Sequence, residues 1–202
     1  EEFHVRGALT GFADVTAALA CLHSLKLLDL SQSAAFGMTV AAVRTGWEQL
    51  LQAGAAGGLT ALGAAGLPLD STAWRELAAS ALASRLRVLD LSAPRARVDS
   101  VGVAALAAWP AGDQLAELRV ADAVLGDAGA LAVWNADALG SLRVLALGGN
   151  GLTDAFAENV SAKGRDRLVE LDLRNNGLTD RSVDYFVAAD LPALRRLHLD
   201  DN

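Results

Sequence analysis

A single cysteine, Cys21, is all that 202 residues contain, and one thiol excludes an internal disulfide. The fold must therefore hold by packing alone, which is compatible with a reducing, cytoplasmic or otherwise intracellular setting. Cys21 sits in the apolar run AALACLHSL. It reads as a buried structural thiol, with a reactive one as the other reading. Aromatic residues are scarce, at 5%. The interior must be assembled from many small, similar contacts rather than a few large rings. An excess of basic charge is missing too: the net charge is −7 and the pI about 4.9. Without a basic face, neither nucleic acid nor an anionic membrane surface is an expected partner. The stretch over 49–69 carries 21 residues without a charge, long enough to span a bilayer. It is mostly Ala and Gly, however, and its leucines belong to the pattern described below, so membrane insertion is not expected.

Catalytic signatures are also lacking. No G-x-x-x-x-G-K-[ST] loop occurs, and the Gly-rich GAAGGLTALGAAG has no Lys and no acidic residue at dinucleotide spacing. The histidines, His4, His23 and His198, lie far apart with no metal motif around them. No catalytic residue, cofactor or metal is expected, and the chain is read as a non-enzyme. What is present is apolar residues, 52% of the chain, enough for a substantial core.

Those residues are periodic. NGLTD occurs at 150–154 and again at 176–180. Around both copies the chain reads L-x-x-L-x-L-x-x-N-x-L: Leu142, Leu145, Leu147, Asn150, Leu152, then Leu168, Leu171, Leu173, Asn176, Leu178. The pattern begins again with Leu194, Leu197, Leu199 and Asn202. Weaker copies start at Leu25, Leu59, Leu86 and Leu115, with Ser33, Leu67, Pro94 and Ala123 where Asn is expected. The starts at 25, 59, 86, 115, 142, 168 and 194 are separated by 34, 27, 29, 27, 26 and 26 residues. A degraded copy is expected over 1–24, where ALTGF echoes GLTDAF. The chain has no initiator Met and stops abruptly at HLDDN, so it is expected to be part of a longer protein.

Over essentially its whole length the chain resembles the leucine-rich-repeat family, and most closely the longer-repeat, ribonuclease-inhibitor-like subclass. It departs from the family mainly in the first four copies, which lack Asn. The resemblance implies a right-handed α/β solenoid, a horseshoe with parallel strands on the concave face and helices on the convex face, occupying 1–202 as one domain. The physics agrees. Leu at positions 4 and 6 of each repeat lies on one face of a short strand, with the intervening residues on the other, and such a strand cannot bury its side chains unless stacked on its neighbours. Asn at position 9 can satisfy the backbone of the turn that follows. Asn150, Asn176 and Asn202 are equipped for this, so the first half is expected to have a looser ladder. Thr153–Asp154, Thr179–Asp180 and Asp127 are candidate helix caps. Helices are expected over DSTAWRELAASALASRL, DAGALAVWNADALGSL and DRSVDYFVAADL, with Val183 and Phe186 of the last facing the sheet. The long first step predicts a long convex-side helix in MTVAAVRTGWEQLLQAG. Strands repeat at about 4.8 Å and helices are about 10 Å wide, so such an array must curve.

Positions 3, 5 and 7 of each strand then face the concave side. They nominate Leu27, Asp29, Val88, Asp90, Glu117, Arg119, Val144, Glu170, Asp172, Arg174, Arg196 and His198 as partner-binding candidates. Equal positions are lateral neighbours in a parallel stack. Glu170 is therefore expected beside Arg196, Asp172 beside His198, Arg174 beside Asp200 and Asp90 beside Arg119. These pairs read either as register-fixing contacts or as a charged docking patch. Asp172 with His198 also suggests an acid–base pair, but no Ser or Cys occupies a neighbouring outward position as a nucleophile. Leu27, Ala61 and Val88 form an apolar column that a partner, or another segment of the same protein, would cover. Trp47, Trp74, Trp109 and Trp134 fall one per repeat in the helical halves and read as packing between helix and sheet, or as a convex-side anchor. The resemblance implies binding of another protein, or of another domain of the same protein, on the concave face or its rims. Regulation of an enzyme, as by GTPase-activating proteins of leucine-rich-repeat type, is the rival expectation.

Overall fold

A computed structural model describes residues 4–5, 25–31, 40–94, 98–110 and 114–202. Eight short strands form one sheet in sequence order: β1 (His4–Val5), β2 (Leu27–Asp29), β3 (Ala61–Gly63), β4 (Val88–Asp90), β5 (Glu117–Arg119), β6 (Val144–Ala146), β7 (Glu170–Asp172) and β8 (Arg196–His198). Every neighbouring pair is parallel, and equal repeat positions face each other, as in Leu118 with Leu145 and Leu145 with Leu171. Among the described residues six α-helices alternate with the strands: α1 (Val40–Ala56), α2 (Ser71–Ala79), α3 (Ser100–Ala107), α4 (Gly126–Asn135), α5 (Asp154–Ala162) and α6 (Arg181–Ala188). The architecture is an open α/β solenoid of the leucine-rich-repeat kind.

The strands lie one residue earlier than the leucine spacing alone suggests, at positions 3–5 rather than 4–6. Pairing nonetheless runs on past them. The N–H of position 6 reaches the position-5 carbonyl of the next repeat, as in Leu147 N to Asp172 O at 2.8 Å. Position 8 does the same with position 7, as in Gly149 N to Arg174 O at 2.9 Å. Position 8 is where the chain turns off the sheet. Gly66, Ala93, Asp122, Gly149, Asn175 and Asp201 all hold it with φ between 49° and 74°. Gly, Asn and Asp tolerate this left-handed conformation, and Ala93 is the one residue of the series outside that group.

Leucines at positions 1, 4 and 6 are buried from Leu25 to Leu173, while Leu194, Leu197 and Leu199 are only partly covered. The long first step is absorbed on the helical side: α1 has 17 residues, and residues 32–39 before it lie outside those described. All four tryptophans are buried, which favours packing over a convex-side anchor. Trp47 Nε1 donates to Ala73 O at 3.1 Å and Trp134 Nε1 to Lys163 O at 2.9 Å, each bridging to the next repeat. Trp134 meets Phe156 edge to face, with ring centroids 6.1 Å apart.

Some expectations fail. The helix beginning at Ser71 stops at Ala79, because Ser80 adopts an extended conformation and a 3-10 turn follows at Ala83–Arg85. In α6, Phe186 faces the sheet but Val183 is exposed, and the small Ser182 takes the inward place beside the sheet. Asp127 is not a cap. It stands inside the first turn of α4 and reaches the following repeat. Cys21, His23 and Ser33 lie outside the described residues.

The asparagines work as expected, and across repeats. Asn150, 1% exposed, accepts from Ala123 N at 3.0 Å and Leu125 N at 3.2 Å through Oδ1. Its Nδ2 donates to Val120 O, Leu147 O and Gly148 O at 2.7–3.3 Å. Asn176 serves Asn150 N and Leu152 N in the same way, and Asn202 serves Asn176 N and Leu178 N.

Candidate functional site

Positions 3 and 5 of each strand, with position 7 just beyond it, bring the nominated side chains onto the concave face. Leu27, Val88, Glu117, Val144 and Glu170 at position 3 are half-buried, and Arg196 is exposed. Asp29, Asp90, Arg119, Asp172 and His198 at position 5 are half-buried, and Arg174 at position 7 is exposed. They fall into two groups with Val144 between them.

The first group lines a cavity of about 260 Å³ whose walls include Leu27, Asp29, Val88, Asp90, Glu117 and Arg119. Its floor is Ala61 and Gly63. A Cβ on Gly63 would stand 2.7 Å from Asp29 Oδ1, so glycine is what leaves the notch open. The expected apolar column is less exposed than its spacing suggests. Ala61 is almost covered, and the large exposed apolar side chains, Val101, Val124, Val183 and Val187, lie outside the strands. Small side chains on a curved inner face are shadowed by longer neighbours. Ala146 and Gly148 are buried for the same reason.

Only one of the four expected charge pairs forms. Arg196 Nε donates to Glu170 Oε2 at 2.8 Å, and its Nη2 bonds the same oxygen. His198 Nε2 turns to Glu170 Oε1 at 3.2 Å rather than to Asp172. Arg174 bonds Asp172 of its own repeat, at 3.0 and 2.6 Å, rather than Asp200. Arg119 likewise bonds Glu117 rather than Asp90. The reason is local. Each position-5 aspartate accepts the N–H two residues on: Asp29 from Ser31 at 3.0 Å, Asp90 from Ser92 at 2.9 Å and Asp172 from Arg174 at 3.1 Å. This turn closes the strand end and orients the carboxylate along its own chain.

The electrostatics follow these contacts. The hydrogen bond from Arg196 holds the Glu170 carboxyl below its ordinary value, helped by His198. For Asp172, burial is the largest single influence and pushes upward, yet the bonds from Arg174 together leave the carboxyl below its usual range. Among the described residues no group of three His, Cys, Asp or Glu side chains could hold a metal ion. None of their helices is long and apolar enough to cross a membrane.

A second set of polar contacts binds repeat to repeat at the helix starts. Asp127 accepts from Thr153 N at 2.8 Å and Thr153 Oγ1 at 2.6 Å. Asp154 accepts from Thr179 N at 2.8 Å, from Thr179 Oγ1 at 2.6 Å and from the Ser182 hydroxyl. The hydroxyl of Ser182, then those contacts from Thr179, pull the Asp154 carboxyl from 3.8 down to about 2. A depressed acid stabilises the fold above its unfolded value and loses that contribution as pH falls through the folded one. Stability is therefore expected to decline from pH 3.8 towards about 2, and Asp154→Asn is expected to flatten that part of the curve. Urea midpoints measured through this window check it; unchanged pH dependence in the variant refutes it.

Sequence reasoning missed Arg165. It is 6% exposed, stacks its guanidinium 5.2 Å from the Trp134 ring centre, and donates to carbonyls at the end of α4. Nε reaches Trp134 O at 3.1 Å and Nη2 reaches Val133 O at 3.2 Å. Further bonds go to Leu139 O and again to Trp134 O. Burial lowers its pKa to about 10, with Asp137 opposing, so it stays charged at neutral pH. A signal existed. Three residues before a repeat start, three other repeats place Ala83, Leu139 and Leu191, which are buried or partly buried. An arginine in that column must find carbonyls.

No protein-family model matches the chain, and no curated protein matches its sequence. Among solved structures the chain is similar to the one described as "Crystal structure of TLR13-ssRNA13 complex", at 15% identity and a TM-score of 0.46. The match covers 100% of this chain and 33% of that one, so the chain spans about a third of the length of that protein.

Proposed function

We propose that the chain is a non-enzymatic protein-interaction module, a recognition or scaffold array of the ribonuclease-inhibitor-like subclass, acting inside the cell through its concave face. The observation that carries this reading is the notch at Gly63. There a curved sheet presents half-buried carboxylates, Asp29 and Asp90, beside the apolar walls of Leu27 and Val88. Asp90 and Asp29 are already held by the turn N–H groups. Acceptors fixed before a partner arrives lose little freedom on binding. The second group, Glu170, Asp172, Arg174, Arg196 and His198, adds a charged surface of both signs for register. Convex-side α-helices and repeat steps of 26–29 residues after the first support the subclass. The single thiol supports the intracellular setting.

Site-directed photo-crosslinking in the source cells tests the face. Benzoylphenylalanine in place of Val88 or Val144 is expected to capture a discrete partner, and in place of the convex, exposed Ala104 to capture none. Capture from Ala104 alone would move the binding surface to the helices and overturn the reading.

A further inference from the structure

Acidic as the chain is, five of the six unpaired cations among the described residues are gathered on one rim, Arg75 of α2 being the sixth. The side chains of Lys26, Arg87, Arg143, Arg167 and Arg195 are exposed and make no hydrogen bond or ion pair. All five stand where the chain enters a strand, the rim at which the convex helices end. Cations near helix C-termini are ordinarily explained by the helix dipole. Arg165 and Arg85 fit that explanation, because they donate to carbonyls there, Arg85 to Gly57 O at 2.7 Å. The five others touch no carbonyl, so capping does not account for them.

Three of them converge. Arg143, Arg167 and Arg195 line a cavity of about 550 Å³, with Val169, Pro192 and Leu194 among its other walls. Arg143 and Arg195 flank Val169 on adjacent strands: Val169 N donates to Arg143 O at 2.8 Å and Arg195 N to Val169 O at 2.9 Å. Their backbones are thus two strand spacings, roughly 9.6 Å, apart, with the short Val169 as floor between them. Asp166 also lines the cavity but pairs with none of the three. Like charges that no acid pairs with repel, and a guanidinium fork is shaped for bidentate bonding to a carboxylate.

We propose that this rim cavity is a second docking site, separate from the concave face, for a short acidic segment of a partner protein that carries carboxylate side chains next to an apolar residue. The apolar walls take the apolar residue, and Arg143, Arg167 and Arg195 take the carboxylates. A long polyanion fits less well. The net charge of −7 and the carboxylate of Asp166 on the cavity wall both oppose a long polyanion.

The test titrates the chain with an acetylated Glu-Leu-Glu-Glu peptide, its Gln-Leu-Gln-Gln counterpart and a single-stranded oligonucleotide, followed by amide NMR shifts and calorimetry at low salt. The glutamate peptide is expected to bind about tenfold or more tighter than the glutamine one, with shifts centred on Val169 and Leu194. Arg143→Gln with Arg195→Gln is expected to abolish that difference. Both positions are exposed, and an unchanged circular dichroism spectrum establishes that the variant is folded. Equal binding of the two peptides overturns the proposal, as do shifts spread over the whole surface. Tighter binding of the oligonucleotide that is lost in the same variant also overturns it, and reassigns the rim to nucleic acid. The concave-face crosslinks from Val88 are expected to survive the double substitution, so failure here and failure of the concave reading are separable.

Discussion

Arg165→Ala is expected to destabilise the chain by about 3–5 kcal/mol, on the scale of breaking a buried, hydrogen-bonded charge site. The substitution removes the donors that satisfy Trp134 O, Val133 O and Leu139 O, and it opens space beside the Trp134 ring. Arg165→Met separates the two effects. It keeps an apolar stem near Trp134 but leaves the carbonyls bare, so a loss near that of alanine identifies capping as the larger part. Urea unfolding with an unchanged slope is the measurement. A loss below about 1 kcal/mol for alanine would mean that water replaces the guanidinium at little cost.

Asn150→Ala is expected to rank beside it, at about 3–5 kcal/mol, because buried donors on one repeat and buried acceptors on two lose their partner together. Its terminal counterpart Asn202→Ala is expected to cost about 1 kcal/mol or less. Asn202 makes a similar set of bonds but is exposed, so water can take them over. Asn150→Asp should fare no better than alanine: a carboxylate accepts from Ala123 N and Leu125 N but faces Val120 O and Leu147 O with no proton to give. Hydrogen exchange at Ala123 and Leu125 reports the local effect. Equal losses at Asn150 and Asn202 would refute the ladder as the cause.

The repeat made the fold legible, since Leu145, Leu171 and Leu118 can share a core only if their strands stack in register. The asparagine ladder was legible for the same reason: one residue type recurs at one phase. Side-chain pairing on the concave face was not. Lateral adjacency placed Asp90 beside Arg119 and Asp172 beside His198. It took no account of the N–H two residues on, which is closer than any neighbouring strand and fixes the aspartates first. The Gly63 notch required knowing what a Cβ would strike, which spacing cannot give. The left-handed position was readable in principle, because Gly66, Asp122, Gly149, Asn175 and Asp201 share it. Val124 is the misfit of a related kind. It has φ of 55°, is 82% exposed, and stands where later repeats carry Gly151 and Gly177. A β-branched residue there is strained, and nothing in the structure explains its choice.

The direction of the asparagine bonds has a consequence for synthesis. Asn150 closes the turn at Ala123 and Leu125, and Asn176 closes the turn at Asn150 and Leu152. Each turn is thus completed by residues that are still enclosed by the ribosome when the turn itself emerges. Chains generally fold from the N-terminus as they are produced. Here the nascent chain must carry its newest turn unfinished for one further repeat, so that a translational pause before an asparagine has left the ribosome would hold open a turn that the same pause after its emergence would seal.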